Sequence, residues 1–270
     1  MVSIIIPSRK EPYLSKTIKD LLVKAKGEIE IIAILDGYWE KAEDIVIDPR
    51  VNYLHFATSK GMRACINSGV ALARGEHILK TDAHCMFDKG FDEILVRDHR
   101  SNWVVVPRRY ALDPEKWERE DNPKYPVDYM YLSKDLHGEV WNEKNKDESL
   151  KEIEIDDLMS SQGSCWFMEK GYYEWLELLD ESNYGTFANE FQEIGLKCWL
   201  SGGDVKVNKN TWYAHWHKPK SVGRGYSLDG KQVEKAELFT RKWLTERNWH
   251  KQSIKLNWLI EKFAPVPTWQ

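Results

Sequence analysis

The chain has 270 residues, 42% of them apolar and 30% charged, which is the composition of a folded globular protein and excludes a disordered or fibrous one. No apolar run approaches the length that a membrane-spanning helix needs, so insertion into a bilayer is not expected. The net charge of −4 hides an asymmetry, because Lys218 to Lys262 carries eleven Lys and Arg against five Asp and Glu.

In chain order, Val2 to Ile6 reads as a buried strand stopped by Pro7. Leu14, Ile18, Leu21, Leu22 and Ala25 recur at helical spacing before Gly27. Ile29 to Leu35 is a second buried strand, ending at Asp36-Gly37, and Val51 to Phe56 a third. Met62, Ile66, Val70 and Ala73 form a helix face closed by Gly75. His77 to Lys80 is a strand that runs into Thr81-Asp82-Ala83-His84, followed by a helix near Phe91 to Val96 and a strand at Trp103 to Val106. Strands alternating with helices predict an α/β fold with a mostly parallel sheet, whose ligands sit at the carboxyl ends of the strands. Pro7-Ser8-Arg9, Asp36-Gly37 and Asp82-Ala83-His84 all fall at such ends.

From about 107 to 160 the periodicity fades, which predicts an irregular insertion or a lid. Order returns at Gly163 to Met168 and in an amphipathic stretch from Tyr172 to Leu179. Phe187, Phe191, Ile194 and Cys198 mark a helix, with Glu190 and Glu193 on or near its other side. Val205 to Val207 and Trp212 to His215 read as two short strands, and 231 to 262 as helical. Six of the thirteen tryptophans follow residue 210. Basic charge among aromatics suits an anionic polymer such as DNA, although a solvated helical pair with its tryptophans turned inward explains the same pattern. The four cysteines show no C-x-x-C spacing, and no secretory leader precedes Val2, so reduced thiols in a cytoplasmic protein are expected, host-cell cytoplasm if the source is a virus.

Asp82 and His84, two apart in extended chain, present one carboxylate oxygen and one imidazole nitrogen on the same side. Such a pair suits Mg²⁺ or Mn²⁺, the imidazole favouring Mn²⁺, and it leaves positions open for a diphosphate. Ala214-His215-Trp216-His217 offers two alternating histidines as a third ligand.

Val2 to Glu11 (VSIIIPSRKE) and Ile34-Leu35-Asp36-Gly37 resemble the opening of family 2 glycosyltransferases of the GT-A fold. Gly61 to Leu95, with its Arg-Gly-Glu leading to Asp-x-His-Cys, is similar to the corresponding segment of polypeptide N-acetylgalactosaminyltransferases. Glu190 to Gly203 (EFQEIGLKCWLSGG) resembles that branch's Glu-Asn-x-Glu-Ile motif, and Tyr213 to Lys218 its metal-binding histidine segment. The resemblance implies a GT-A domain over 1–218, comprising a nucleotide-binding half (1–106), the insertion (107–160) and an acceptor-side half (161–218), with a helical extension at 219–270. It implies a UDP-sugar donor and Mn²⁺ or Mg²⁺ at Asp82, His84 and His215.

Pro7, Ser8, Glu11 and Asp36 are expected to hold base and ribose. Lys218, Arg224 and Arg63 are expected to face the diphosphate and Trp166 the transferred sugar. Asp82 and Glu190 form the expected catalytic pair, with Glu190 at the acceptor hydroxyl. Phe191 departs from the Glu-Asp of inverting relatives, and the lectin domain and membrane anchor of the animal enzymes are not expected. The acceptor reads as an intracellular hydroxyl, with a hydroxymethylated pyrimidine of viral DNA set beside a polysaccharide or a protein. An inert nucleotide-sugar-binding scaffold is the reading from another class, and the intact Asp82, His84, His215 and Glu190 speak against it.

Overall fold

In the computed structural model, which describes residues 1–120, 126–219, 223 and 226–269, the first half of the chain builds a parallel layer. Strands β1 (Val2–Ser8), β2 (Ile29–Asp36), β3 (Val51–Phe56) and β4 (His77–Thr81) lie in the order β3-β2-β1-β4, all parallel. Helices α1 (Leu14–Lys24) and α2 (Met62–Leu72) provide two of the crossovers. Every residue of β2 is buried, as a central strand covered on both faces requires.

Pro7 does not stop β1, which runs on to Ser8. Val2 donates to Glu28 on the β2 side, so the alternation of a parallel ladder turns the nitrogens of odd residues towards β4. The β4 ladder ends at Ile5, so the N–H that Pro7 lacks has no partner to lose.

The chain continues through β5 (Cys85–Phe87), α3 (Phe91–Asp98), β6 (Trp103–Asp113), β7 (Glu118–Glu120), the hairpin β8 (Met130–Leu132) and β9 (Gly138–Val140), the short helices α4 (Asn142–Lys146) and α5 (Glu148–Lys151), and β10 (Ile155–Asp157). Thus β6 passes through the expected boundary at 106, and the stretch read as irregular holds elements too short to leave a period. Then follow β11 (Cys165–Glu169), α6 (Lys170–Trp175), α7 (Glu181–Tyr184), α8 (Glu190–Leu200) and β12 (Asp204–His215). The main sheet runs β10-β12-β6-β11-β4-β1-β2-β3, with β5 on β12 and β7 on β6. β12 is one strand where the sequence reads as two, because a register shift between Asn208 and Trp212 breaks the alternation.

Two pairings build the site. β11 lies antiparallel to β4 and sets Trp166 opposite Lys80. β12 pairs antiparallel with β5 and sets His215 opposite Cys85, hence beside His84.

Helices α9 (Gly230–Glu246) and α10 (Leu256–Phe263) close the chain, and Trp243, Leu244, Leu259 and Phe263 enter the main core. Trp249 donates to Glu177 and Trp269 to the Leu132 carbonyl, while Lys231, Lys235, Arg241 and Lys242 face solvent. Here the basic residues of α9 are solvated, Lys251 and Lys262 are paired with Glu177 and Asp157, and most of the tryptophans are packed. No described helix is long and apolar enough to cross a membrane.

Candidate active site

At the carboxyl ends of β1, β2 and β4 opens a cleft of about 1400 Å³, walled by Pro7, Asp36, Asp82, Glu190 and His215 among others. Asp82 leaves β4 with its amide held by the Ser164 carbonyl at 2.9 Å. Its Oδ2 lies 3.2 Å from His215 Nε2 and 3.9 Å from His84 Nε2, and the two Nε2 atoms are 3.1 Å apart. His84 Nδ1 is 3.0 Å from Glu11 Oε2. An ionised carboxylate only accepts, so Nδ1 carries a proton and Nε2 is the nitrogen turned towards His215 and Asp82.

Burial pulls the His215 imidazole down to about 3, despite its hydrogen bond to Asp82, so it is neutral at physiological pH. Its Nδ1 is buried without a partner among the described residues. Burial by itself would raise the Asp82 carboxyl, but the Lys80 ammonium and the His215 hydrogen bond outweigh it and hold the group well below the usual carboxylate range. A carboxylate and two imidazoles converging on one point form a donor set that fits a divalent ion.

Glu11 also accepts from Lys218, so both of its oxygens are engaged, one by His84 and one by Lys218. That occupies the carboxylate expected at the ribose. Burial works against it, yet His84 and Lys218 together keep the Glu11 carboxyl below its ordinary value. Asp36 does line the cleft, where it accepts from Ser59 Oγ (2.7 Å), Lys60 N (2.6 Å) and Gly61 N (3.1 Å) and so fixes the loop that enters α2. Gly37 in that corner has φ +76° and no room for a Cβ, which would lie 2.6 Å from Ser59 N.

Glu190 opens α8 and faces the cleft. Its Oε1 accepts from Trp166 Nε1 at 2.7 Å and lies 3.3 Å from Lys80 Nζ, which also donates to Asp82 Oδ1 at 2.7 Å. Burial raises the Glu190 carboxyl and the Asp82 charge adds to this, against the pull of Lys80. Lys80, fully buried, therefore ties the two expected catalytic carboxylates together. Its site role was not anticipated. The signal was a lysine inside an otherwise buried strand, at the same parity as Asp82 and His84.

Three further expected donor contacts do not fit the geometry. Arg63 is fully buried beneath the cleft and is bonded to Glu193 and the Ala188 carbonyl, so it braces α2 against α8 and cannot meet a diphosphate. Trp166 is also fully buried, stacked on Tyr173, and reaches the chemistry only by holding Glu190. Ser8 is 2% exposed, with its hydroxyl 2.6 Å from Tyr38 OH. Arg224 lies outside the described residues. Arg9, placed at a strand end by the sequence but given no donor contact, lines the cleft with its guanidinium 4.6 Å above the Tyr226 ring.

A parallel half joined through an antiparallel strand to a second half, with an acid and histidines at the strand ends, is the arrangement of a GT-A fold. The glycosyl transferase family 2 pattern matches residues 3–175. The chain belongs to that family. It is 24% identical over 174 residues to the glycosyltransferase GlyG of Streptococcus pneumoniae serotype 4, covering 62% of this chain and 51% of that protein. It is 33% identical over 112 residues to the uncharacterized glycosyltransferase EpsJ of Bacillus subtilis, covering 39% of this chain and 32% of that protein. The chain thus spans about half, or less, of the length of these curated relatives. Among solved structures, GalNAc-T7 with UDP, GalNAc and Mn²⁺ superposes with a TM-score of 0.71 at 15% identity, over 91% of this chain and 49% of that one. TarS 1-349 of S. aureus in complex with UDP-GlcNAc gives 0.60 at 9% identity, over 96% and 69%.

Proposed function

We propose that the chain transfers a sugar from a UDP-sugar to a hydroxyl acceptor, with a divalent ion, Mn²⁺ before Mg²⁺, at Asp82, His84 and His215. The observation that carries this reading is the meeting of Asp82 Oδ2, His84 Nε2 and His215 Nε2 at 3.1–3.9 Å on the cleft wall. The UDP and Mn²⁺ of GalNAc-T7 and the UDP-GlcNAc of TarS support the choice of donor and ion.

The ion would neutralise charge that develops on the leaving diphosphate. Glu11 sets the His84 tautomer and keeps Lys218 beside the ligands, where its ammonium adds positive charge at the same place. Pro7 and Asp36, with the loop that Asp36 anchors, border the nucleoside end. Glu190 receives the acceptor hydroxyl. Its raised pKa makes it a better proton acceptor than a solvated glutamate, and Trp166 and Lys80 fix its direction.

For the acceptor we carry forward a hydroxyl on DNA, such as a hydroxymethylated pyrimidine. The support is the excess of basic residues between Lys218 and Lys262, eleven Lys and Arg against five Asp and Glu, since the tryptophans of that segment are mostly packed.

The test incubates the protein with Mn²⁺ and a panel of UDP-sugars and follows UDP release by slow hydrolysis. Metal-dependent release is expected with at least one donor, and no binding or release with any donor would refute the reading. Gel shifts on hydroxymethylated DNA should weaken steeply with salt. No shift at low salt removes DNA as the acceptor.

A further inference from the structure

Four Lys or Arg side chains are buried among the described residues: Arg63, Lys80, Arg109 and Lys197. Three have carboxylate partners. Arg63 meets Glu193, Lys197 meets the same Glu193 at 2.7 Å, and Lys80 meets Asp82 and Glu190. Arg109 has none among the described residues. Its terminal nitrogens reach the Gln162 amide oxygen and, at 3.6 Å, the Met130 sulfur, and its Nε is buried with no acceptor. Yet Arg109 is only 5% exposed. The neighbouring Arg108 shows the contrast, since it grips Asp128 through Nε at 2.9 Å and a terminal nitrogen at 2.7 Å.

A buried guanidinium without a counter-ion is costly, because neither water nor a neutral amide repays its desolvation. The cost is removed if the counter-ion arrives with a ligand, and Arg109 lines the cleft where a ligand would arrive. Its place in the cleft indicates which ligand. Arg109 holds Gln162, the next residue is Gly163, and Gly163 presses on the Glu190 carboxylate so closely that a Cβ there would lie 2.4 Å from Oε2. Met130, its other partner, belongs to the wall formed by β8 and β9. Asp36 and Arg9, at the ends of β2 and β1, border the nucleoside end instead.

We infer that Arg109 is an acceptor-specificity residue that binds an oxyanion, phosphate or carboxylate, carried by the acceptor close to the hydroxyl that Glu190 receives. This rests on the reading of the cleft as a glycosyl-transfer site and adds the chemical class of acceptor. A planar guanidinium suits either oxyanion through two parallel N–H donors, and Gln162 is the neutral group that would yield its place.

The experiment titrates the full chain by calorimetry with glucose 6-phosphate, glucuronate and glucose, with and without UDP and Mn²⁺. Wild type is expected to bind at least one charged sugar about tenfold or more tighter than glucose, and the two arms tell phosphate from carboxylate. Arg109→Gln should abolish that preference while its UDP affinity in Mn²⁺ stays within about twofold, and Arg109→Lys should keep part of it. Equal binding of charged and neutral sugars, or a preference that survives in Arg109→Gln, overturns the inference. A loss of UDP affinity in Arg109→Gln places the oxyanion on the donor and overturns the acceptor assignment. A wild type that binds no UDP refutes the donor reading alone, since the charge preference is still read without it. Thermal melts guard against misfolding, and Arg109→Met should melt no lower than wild type if the charge is unpaired in the free protein.

Discussion

Lys80→Met is the sharpest test of how the site is held together. The substitution removes an ammonium that is fully buried between Asp82 Oδ1 at 2.7 Å and Glu190 Oε1 at 3.3 Å, and leaves two carboxylates facing each other. Removing one partner of a buried ionic group costs about 3–5 kcal/mol, because the remaining charge is uncompensated. At roughly 2–4 °C per kcal/mol for a chain of this size, the melting point should fall by about 6–20 °C.

The deficit should also depend on pH. Without Lys80 the folded-state carboxyls of Glu190 and Asp82 move up. A carboxyl raised in the folded state stabilises below its unfolded pKa, and that stability is lost as pH rises through the folded value. The loss relative to wild type should therefore be smallest near about pH 5 and largest near about pH 8. Melts of both proteins across this range measure it. A variant that melts with wild type at alkaline pH, or whose deficit does not shrink in acid, would refute the buried ion bridge.

The other predictions concern separate parts of the molecule. Gly163→Ala should push the Glu190 carboxylate aside, because the new Cβ would lie 2.4 Å from Oε2; turnover should fall while metal-dependent UDP binding holds, and unchanged turnover would count against Glu190. Arg63→Met should cost about 1–3 kcal/mol, because the buried Ala188 carbonyl loses its donor while Glu193 keeps Lys197, with UDP affinity measured below the melting transition unchanged. His215→Ala should lose Mn²⁺-dependent UDP binding by about tenfold or more while its circular dichroism spectrum stays native; normal binding would move the third ligand to His217. His99, pulled down to about 4 by burial, contributes stability that is full above the unfolded value near about 6.5 and is lost as pH falls towards 4. His99→Gln, which can still donate to the Trp103 carbonyl, should therefore flatten the acid side of the melting profile.

Much of the fold is legible in the chain. The first four strands and their helices follow from uniform apolar runs and helical spacing, and the Asp82 strand end was placed by the same alternation that puts Lys80 on its side. The parts that escaped have short periods or broken ones. β5 is three residues long, β8 and β9 likewise, and β12 carries a register shift. Trp166 shows the limit on roles: its spacing beside Gly163-Ser164 could not tell sugar stacking from packing, and the register with Lys80 turned it under Glu190.

The sequence by itself determined the parallel half and put Pro7, Asp36 and Asp82 at its carboxyl edge, because local periodicity and strand ends are properties of consecutive residues. Only the tertiary structure decided that β12 returns beside β5 to bring His215 within 3.1 Å of His84, that Arg63 braces the core, and that Arg109 alone among the buried described Lys and Arg side chains lacks a carboxylate. Those contacts join residues about a hundred positions apart or more, or hang on the absence of a partner, and they are settled by strand pairing and burial that no local pattern encodes.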